Sequence, residues 1–134
     1  MTADLDQIRS RRVAAFLKLA DREIASARHL LAVAPEHAAY FTQQAVEKLL
    51  RAVLEFEAKP AGATHNLRLL AEILSRTHPL HDAFMTFDVL SSASTRFRYP
   101  TEFGDLRVIS EAQVAKHLAE FETLRKAVAT YLTS

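Results

Sequence analysis

The chain has 134 residues, 49% of them apolar, enough for a single domain over residues 1–134 that buries its own core without metal or disulfides. Seventeen basic against sixteen acidic residues leave a net charge of +1, which argues neither for a general nucleic-acid binder nor for an acidic-substrate enzyme and makes any basic site local. The absence of cysteine removes thiol catalysis and cysteine-ligated zinc. No apolar run reaches signal-peptide or membrane-spanning length, so a soluble cytoplasmic protein without membrane contact is expected.

Two glycines and four prolines in a chain rich in Ala, Leu, Glu, Arg and Lys favour helix and mark the joints. Val13, Leu17, Ala20, Ile24, Ala27 and Leu31 recur at alternating fours and threes, which predicts a first helix from near Asp4–Asp6 to about Ala34. Arg9, Arg11 and Arg12 precede that seam as a solvated helix end. Pro35 forbids continuation but suits a first helical turn, so a second helix starts there and runs to about Ala58.

Within this second helix, Ala38, Phe41, Ala45, Leu49, Ala52 and Phe56 share a narrow arc that Val46, Leu50 and Val53 widen. A helix with so wide an apolar face belongs in the middle of a bundle. Its opposite flank carries Tyr40, Gln44, Lys48, Arg51 and Glu55 as a polar stripe, either a solvated face or part of a site.

Lys59-Pro60-Ala61-Gly62-Ala63 breaks the helix, and Thr64 or Asn66 caps a short third one bearing Leu67, Leu70 and Leu74. After Thr77-His78-Pro79, a fourth segment places Leu80, Phe84, Phe87 and Leu90 on one side. A hydroxyl-rich stretch, Ser91 to Thr95, weakens helix before a loop containing RFRYPTEFGD. Ser110 and Gln113 form a capping box for a last helix with Val114, Leu118, Phe121, Leu124, Val128 and Tyr131 as its buried stripe. With no strand pattern, the expected fold is all-α: an antiparallel up-and-down bundle of three long and two short helices.

Chemistry is sparse. His78 and His81 are separated by Pro79, Glu-x-x-His is missing, and the glycines stand alone, so no metal, cofactor or phosphate-loop motif is read. What remains is Arg96-Phe97-Arg98-Tyr99-Pro100, where guanidiniums suit phosphate oxygens and rings suit bases. Alternatively, Phe97 and Tyr99 plug the end of the bundle while the arginines pair with Glu102 or Asp105.

The phrase Tyr40-Phe41-Thr42-Gln43-Gln44-Ala45-Val46-Glu47-Lys48-Leu49-Leu50-Arg51-Ala52, followed by Thr64-His65-Asn66-Leu67 and then Arg98-Tyr99-Pro100, resembles the HEPN domain across nearly the whole chain. The resemblance implies an antiparallel helical bundle, commonly a homodimer, often paired with a minimal nucleotidyltransferase in a two-component, toxin–antitoxin-like module. It implies phosphate and base contacts at Arg98 and Tyr99, with Lys48 and Arg51 as supplementary charges and either a capping or a site role for His65; Arg96 of the same loop and Gln44 of the same stripe join them as candidate contacts.

Many members that this chain resembles are metal-independent ribonuclease toxins with an Arg-x(4 to 6)-His motif after the long loop. Beyond Arg96 or Arg98 this chain offers Thr101 through Asp105 and no histidine, which argues against catalysis. Arg76 with His81 fits the spacing but falls across the Pro79 joint, and Arg22 with His29 fits it inside helix one. The expected role is therefore nucleotide or RNA-phosphate binding within such a module, with a ribonuclease toxin using Arg76 or Arg98 and His78 or His81, or a non-catalytic protein-interaction module, as the alternatives.

Overall fold

A computed structural model describes residues 4–91, 96 and 99–134, and among them there are helices and turns and no strand. Helix α1 (Leu5–Leu30) starts where expected, with the Asp4 carboxylate accepting from the Gln7 N–H at 2.8 Å and the Gln7 side chain accepting from the Asp4 N–H at 3.3 Å. Arg12 donates from Nε to Glu55 of the next helix at 2.9 Å, and its guanidinium lies 5.7 Å from the Phe16 ring centroid. α1 closes at Leu30 rather than near Ala34. Pro35 pushes Ala34 into extended backbone (φ −148°, ψ 79°), so the reversal begins early and the Val33 and Ala34 N–H groups both end on the Leu30 carbonyl.

Helix α2 (Pro35–Phe56) runs through the centre, and no residue between Ala38 and Glu55 is exposed. Its apolar arc packs as the spacing implies, with Leu49, Leu50 and Leu54 fully buried against α1 on one side and the last helix on another. Phe56, at the end of the arc, departs from it: the ring is exposed and meets Tyr131 edge-on at 5.9 Å. The helix stops two residues before the expected Ala58, in a Schellman turn. The Lys59 N–H reaches the Leu54 carbonyl at 2.9 Å, the Ala58 N–H reaches Glu55 at 3.0 Å, and Ala58 takes φ +58°.

Helix α3 (Leu67–Ile73) is capped by Asn66, whose side chain accepts from the Leu69 N–H at 3.2 Å. Helix α4 (His81–Met85) is only one turn and passes into a 3-10 turn at Asp88–Leu90. The Thr86 hydroxyl, bonded back to the Asp82 carbonyl at 3.1 Å, competes there with helix continuation. Leu80, Phe84, Phe87 and Leu90 are nonetheless all buried, as their spacing requires. Helix α5 (Glu111–Thr133) carries the expected capping box and buries Val114, Leu118, Phe121, Leu124 and Val128, with Tyr131 half-buried. The result is the all-helical bundle expected. Among the described residues, no helix is long and apolar enough to cross a membrane.

Candidate functional site

The polar stripe of α2 is neither a solvated face nor an open site. Gln43 and Glu47, one helical turn apart, are buried with it, Glu47 to 1% exposure. Burying a carboxylate is costly unless its oxygens are paired, and here they are. Arg51 donates from Nε to Glu47 Oε2 at 3.2 Å, and the His65 Nδ1 lies 2.9 Å from Oε1. Arg51 also reaches the carbonyls of Gly62 at 3.0 Å and Thr64 at 2.6 Å, while Gln43 Nε2 donates to the His65 carbonyl at 3.2 Å. Together these bonds staple the connection after α2 back onto the helix. His65 thus fastens this connection through its ring and carbonyl, and the capping role falls to Asn66.

Lys48 is equally engaged. Its ammonium donates to Glu23 Oε1 at 3.1 Å and to Gln44 Oε1 at 3.3 Å, and Gln44 donates in turn to Gln43 at 2.9 Å. Burial raises the Glu23 pKa above the usual carboxylate range and Glu47 adds to this, while the hydrogen bond and charge of Lys48 pull against it. Gln44, Lys48 and Arg51, read from sequence as supplementary ligand contacts, are held by one another, by α1 and by the 57–66 connection.

A second polar cluster closes the far end of α2. His78 Nδ1 accepts from the Leu80 N–H at 3.0 Å, which puts the imidazole proton on Nε2, 2.5 Å from Glu57 Oε2. Tyr131 donates to the same oxygen at 2.6 Å, and Lys59 lies 3.3 Å from Oε1. Burial acts to raise the Glu57 pKa, but the bonds from Tyr131, His78 and Lys59 together outweigh it and hold the carboxyl below its usual range; Tyr131 is pushed up to about 12, first by that bond to Glu57. Both nitrogens of His78 are committed, leaving neither for acid–base work. His81 faces its neighbour Asp82 at 3.2 Å, and Arg76 is exposed in the turn after α3.

The basic side chains of the loop side lie elsewhere. Between Tyr99 and Ser110 the chain folds on itself: the Thr101 N–H donates to the Asp105 carbonyl at 2.8 Å, the Asp105 N–H to the Thr101 hydroxyl at 3.1 Å, and Gly104 takes φ +85°. Val108 is thereby placed between two hollows. One, of about 300 Å³, sets the ring of Tyr99 and the side chain of Arg107 beside Glu36 and His37 at the start of α2. The other, of about 370 Å³, gathers Arg96, Gln113, Lys116 and His117 over an apolar floor that includes Leu90. Arg98, the third residue of the expected loop site, and Phe97 lie outside the described residues.

His117 is set into the wall of the larger cavity. Its Nδ1 and the Glu120 Oε1 are both buried, both lack a hydrogen-bond partner, and stand 3.7 Å apart. The Phe87 ring lies 6.1 Å away. Burial lowers the His117 pKa and Lys116 adds to this, against the pull of Glu120, so the ring is neutral near pH 7. Neither Lys116 nor His117 stood out in the sequence, where they follow Val114 as the polar flank of a helix. Only their distance from Arg96 in space, not their separation along the chain, joins them to it.

A family model of the HEPN domain matches residues 13–130. Among solved structures, the chain is similar to the crystal structure of ST0689, an archaeal HEPN homologue, with a TM-score of 0.66 and 18% identity, over 90% of this chain and 97% of that one. At that identity the likeness concerns the fold. No curated protein sequence matches.

Proposed function

The chain belongs to the HEPN family, and from that membership we propose that it binds a nucleotide or an RNA phosphate at the loop-side cavity. The observation that carries this reading is the gathering of Arg96, Lys116, His117 and Gln113 around one open cavity in a chain whose net charge is only +1. Guanidinium and ammonium groups over a phosphate-sized hollow are the donors that phosphate recognition uses. Tyr99 and Arg107 in the adjoining hollow extend the surface by a stacking ring and a further cation. Arg98 joins this proposal on the sequence motif alone.

The reading is of a binding site within a two-component, toxin–antitoxin-like module, with a nucleotidyltransferase as protein partner and a homodimer as the working form. Binding is preferred to RNA cleavage because the long loop lacks an Arg-x(4 to 6)-His, while His78 is committed to Leu80 and Glu57. Thermal unfolding of the purified protein with ATP, other nucleotides and short RNA tests it, beside Lys116→Ala and Arg98→Ala. A ligand at a hundredfold over its dissociation constant adds about 2.7 kcal/mol and raises the midpoint by several degrees. A rise that both variants lose places the ligand at this loop. An unchanged midpoint with every ligand moves the function to a protein partner.

A further inference from the structure

Between α4 and α5 the surface sinks into a hollow of about 240 Å³ that shares no residue with the two loop-side cavities. Ala83, Thr86 and Phe87 line it from one side, Glu120, Thr123 and Leu124 from the other. Phe87 and Leu124 are nearly fully buried and make an apolar floor. Glu120 is the one charged residue of this lining, and the Thr86 hydroxyl, whose hydrogen goes to the Asp82 carbonyl at 3.1 Å, has only acceptor capacity left.

Nothing in the protein balances the Glu120 charge. Its Oε1 is buried without a hydrogen-bond partner, and the facing His117 Nδ1, at 3.7 Å, is too distant to serve it. Burial keeps that ring neutral near pH 7, so it brings no positive charge. Lys116, one turn earlier on α5, lines the loop-side cavity instead and forms no ion pair with Glu120 among the described residues. Asp82, beside Ala83 in the chain, is acidic as well. The Glu120 side chain is 28% exposed and only Oε1 is buried, so the carboxylate meets a ligand through Oε2.

The chemistry of the hollow selects its occupant. An anion is repelled by Glu120, and a neutral apolar group strips water from the carboxylate without replacing it. The volume suits one side chain and falls short of the usual span for a small-molecule pocket. A cation on an apolar stem satisfies both parts, the stem on the floor and the head on Oε2. Acceptors on opposite walls, with a weakly hydrated head needed over an apolar floor, favour a planar guanidinium over an ammonium. We propose that this hollow receives an arginine side chain presented by a protein partner, with Glu120 as its counter-ion. The site lies apart from the phosphate-binding surface proposed above and does not depend on it.

Amide-resolved NMR titration of the full chain at pH 7 tests this. The probes are butylguanidinium, its neutral counterpart butylurea, butylammonium, and N-acetyl-arginine methylamide. Butylguanidinium should shift and saturate the amides of residues 83–87 and 117–124, and should bind ~10-fold more tightly than butylurea and more tightly than butylammonium. Glu120→Gln, of the same shape, should lose that preference over butylurea, and Ala83→Leu, which fills the hollow and keeps the carboxylate, should abolish binding while the remaining amides keep their positions. Equal affinity for butylguanidinium and butylurea, an unchanged affinity in Glu120→Gln, or no shift at these amides overturns the site. Weaker binding of the arginine derivative than of butylguanidinium means that a peptide backbone is not admitted, and overturns presentation by a protein. All of these results leave the phosphate reading untouched.

Discussion

The two ends of α2 and the loop-side cavity use similar side chains to opposite ends. Along α2, Arg51, Lys48 and His65 are set against Glu47 and Glu23, and backbone carbonyls take up the remaining guanidinium donors. At the two loop-side hollows, Lys116 and Arg107 are exposed, and His117 keeps a buried nitrogen without a partner. A charge in the middle of a bundle must be matched within the fold, because burial without a partner costs more than the fold can absorb. On the rim, water solvates the cation. Basic residues of equal promise in the sequence therefore divide by burial into those matched within the fold and those left to solvent.

The sharpest way to break this comparison is to damage the structural side. Glu47→Ala leaves the Arg51 guanidinium without its carboxylate in a nearly buried position and should cost about 3 kcal/mol, lowering the melting midpoint by roughly 10 °C. Thermal denaturation reads this without any ligand. A change of only a degree or two would mean that the α2 network is dispensable. The complementary change, Lys116→Ala, should leave the midpoint within about 2 °C and weaken phosphate binding ~10-fold, since the side chain is exposed and anchors nothing.

Tyr131→Phe removes the 2.6 Å bond to Glu57 and should cost about 1.5 kcal/mol near neutral pH. The pH dependence has a definite sign. The folded Glu57 pKa lies below its unfolded value, so its stabilisation is fully present above the unfolded carboxylate range and is lost as pH falls through the folded pKa. The difference between wild type and Tyr131→Phe, followed by denaturant titration, should therefore narrow on acidification; a gap that widened would assign the bond to protonated Glu57. The smallest effect is expected at Ala58, which holds φ +58° at the end of α2. Ala58→Gly should raise stability by about 0.5 kcal/mol, relieving the left-handed strain while giving up some chain entropy.

Most of the helical frame is legible in the chain itself. Asp4 with Gln7 and Ser110 with Gln113 announce two helix starts through local bonds that need no tertiary partner. Pro35 fixes the first reversal by its ring geometry, and the spacings of Leu67, Leu70 and Leu74, and of Leu80, Phe84 and Phe87, mark faces that are buried. The candidate site was half legible. Arg96 and Tyr99 stand out as an Arg-aromatic cluster, but Gln44, Lys48 and Arg51 read as available when they are occupied. Thr42, Gln43 and Glu47 read as ordinary polar residues of a helix when they are its most buried polar groups.

The sequence by itself determined where helices start, which faces turn inward and which family the bundle resembles, because helical period, capping and proline stereochemistry act between residues a few positions apart. Only the tertiary structure decided the fate of the charges. Glu23 meets Lys48 across two helices, His78 and Tyr131 meet Glu57 from opposite parts of the chain, and Arg96 shares a cavity with Lys116 and His117. Hydrogen bonds and ion pairs depend on distance in space at the scale of a few ångströms. No periodicity along the chain encodes that distance until the helices have packed.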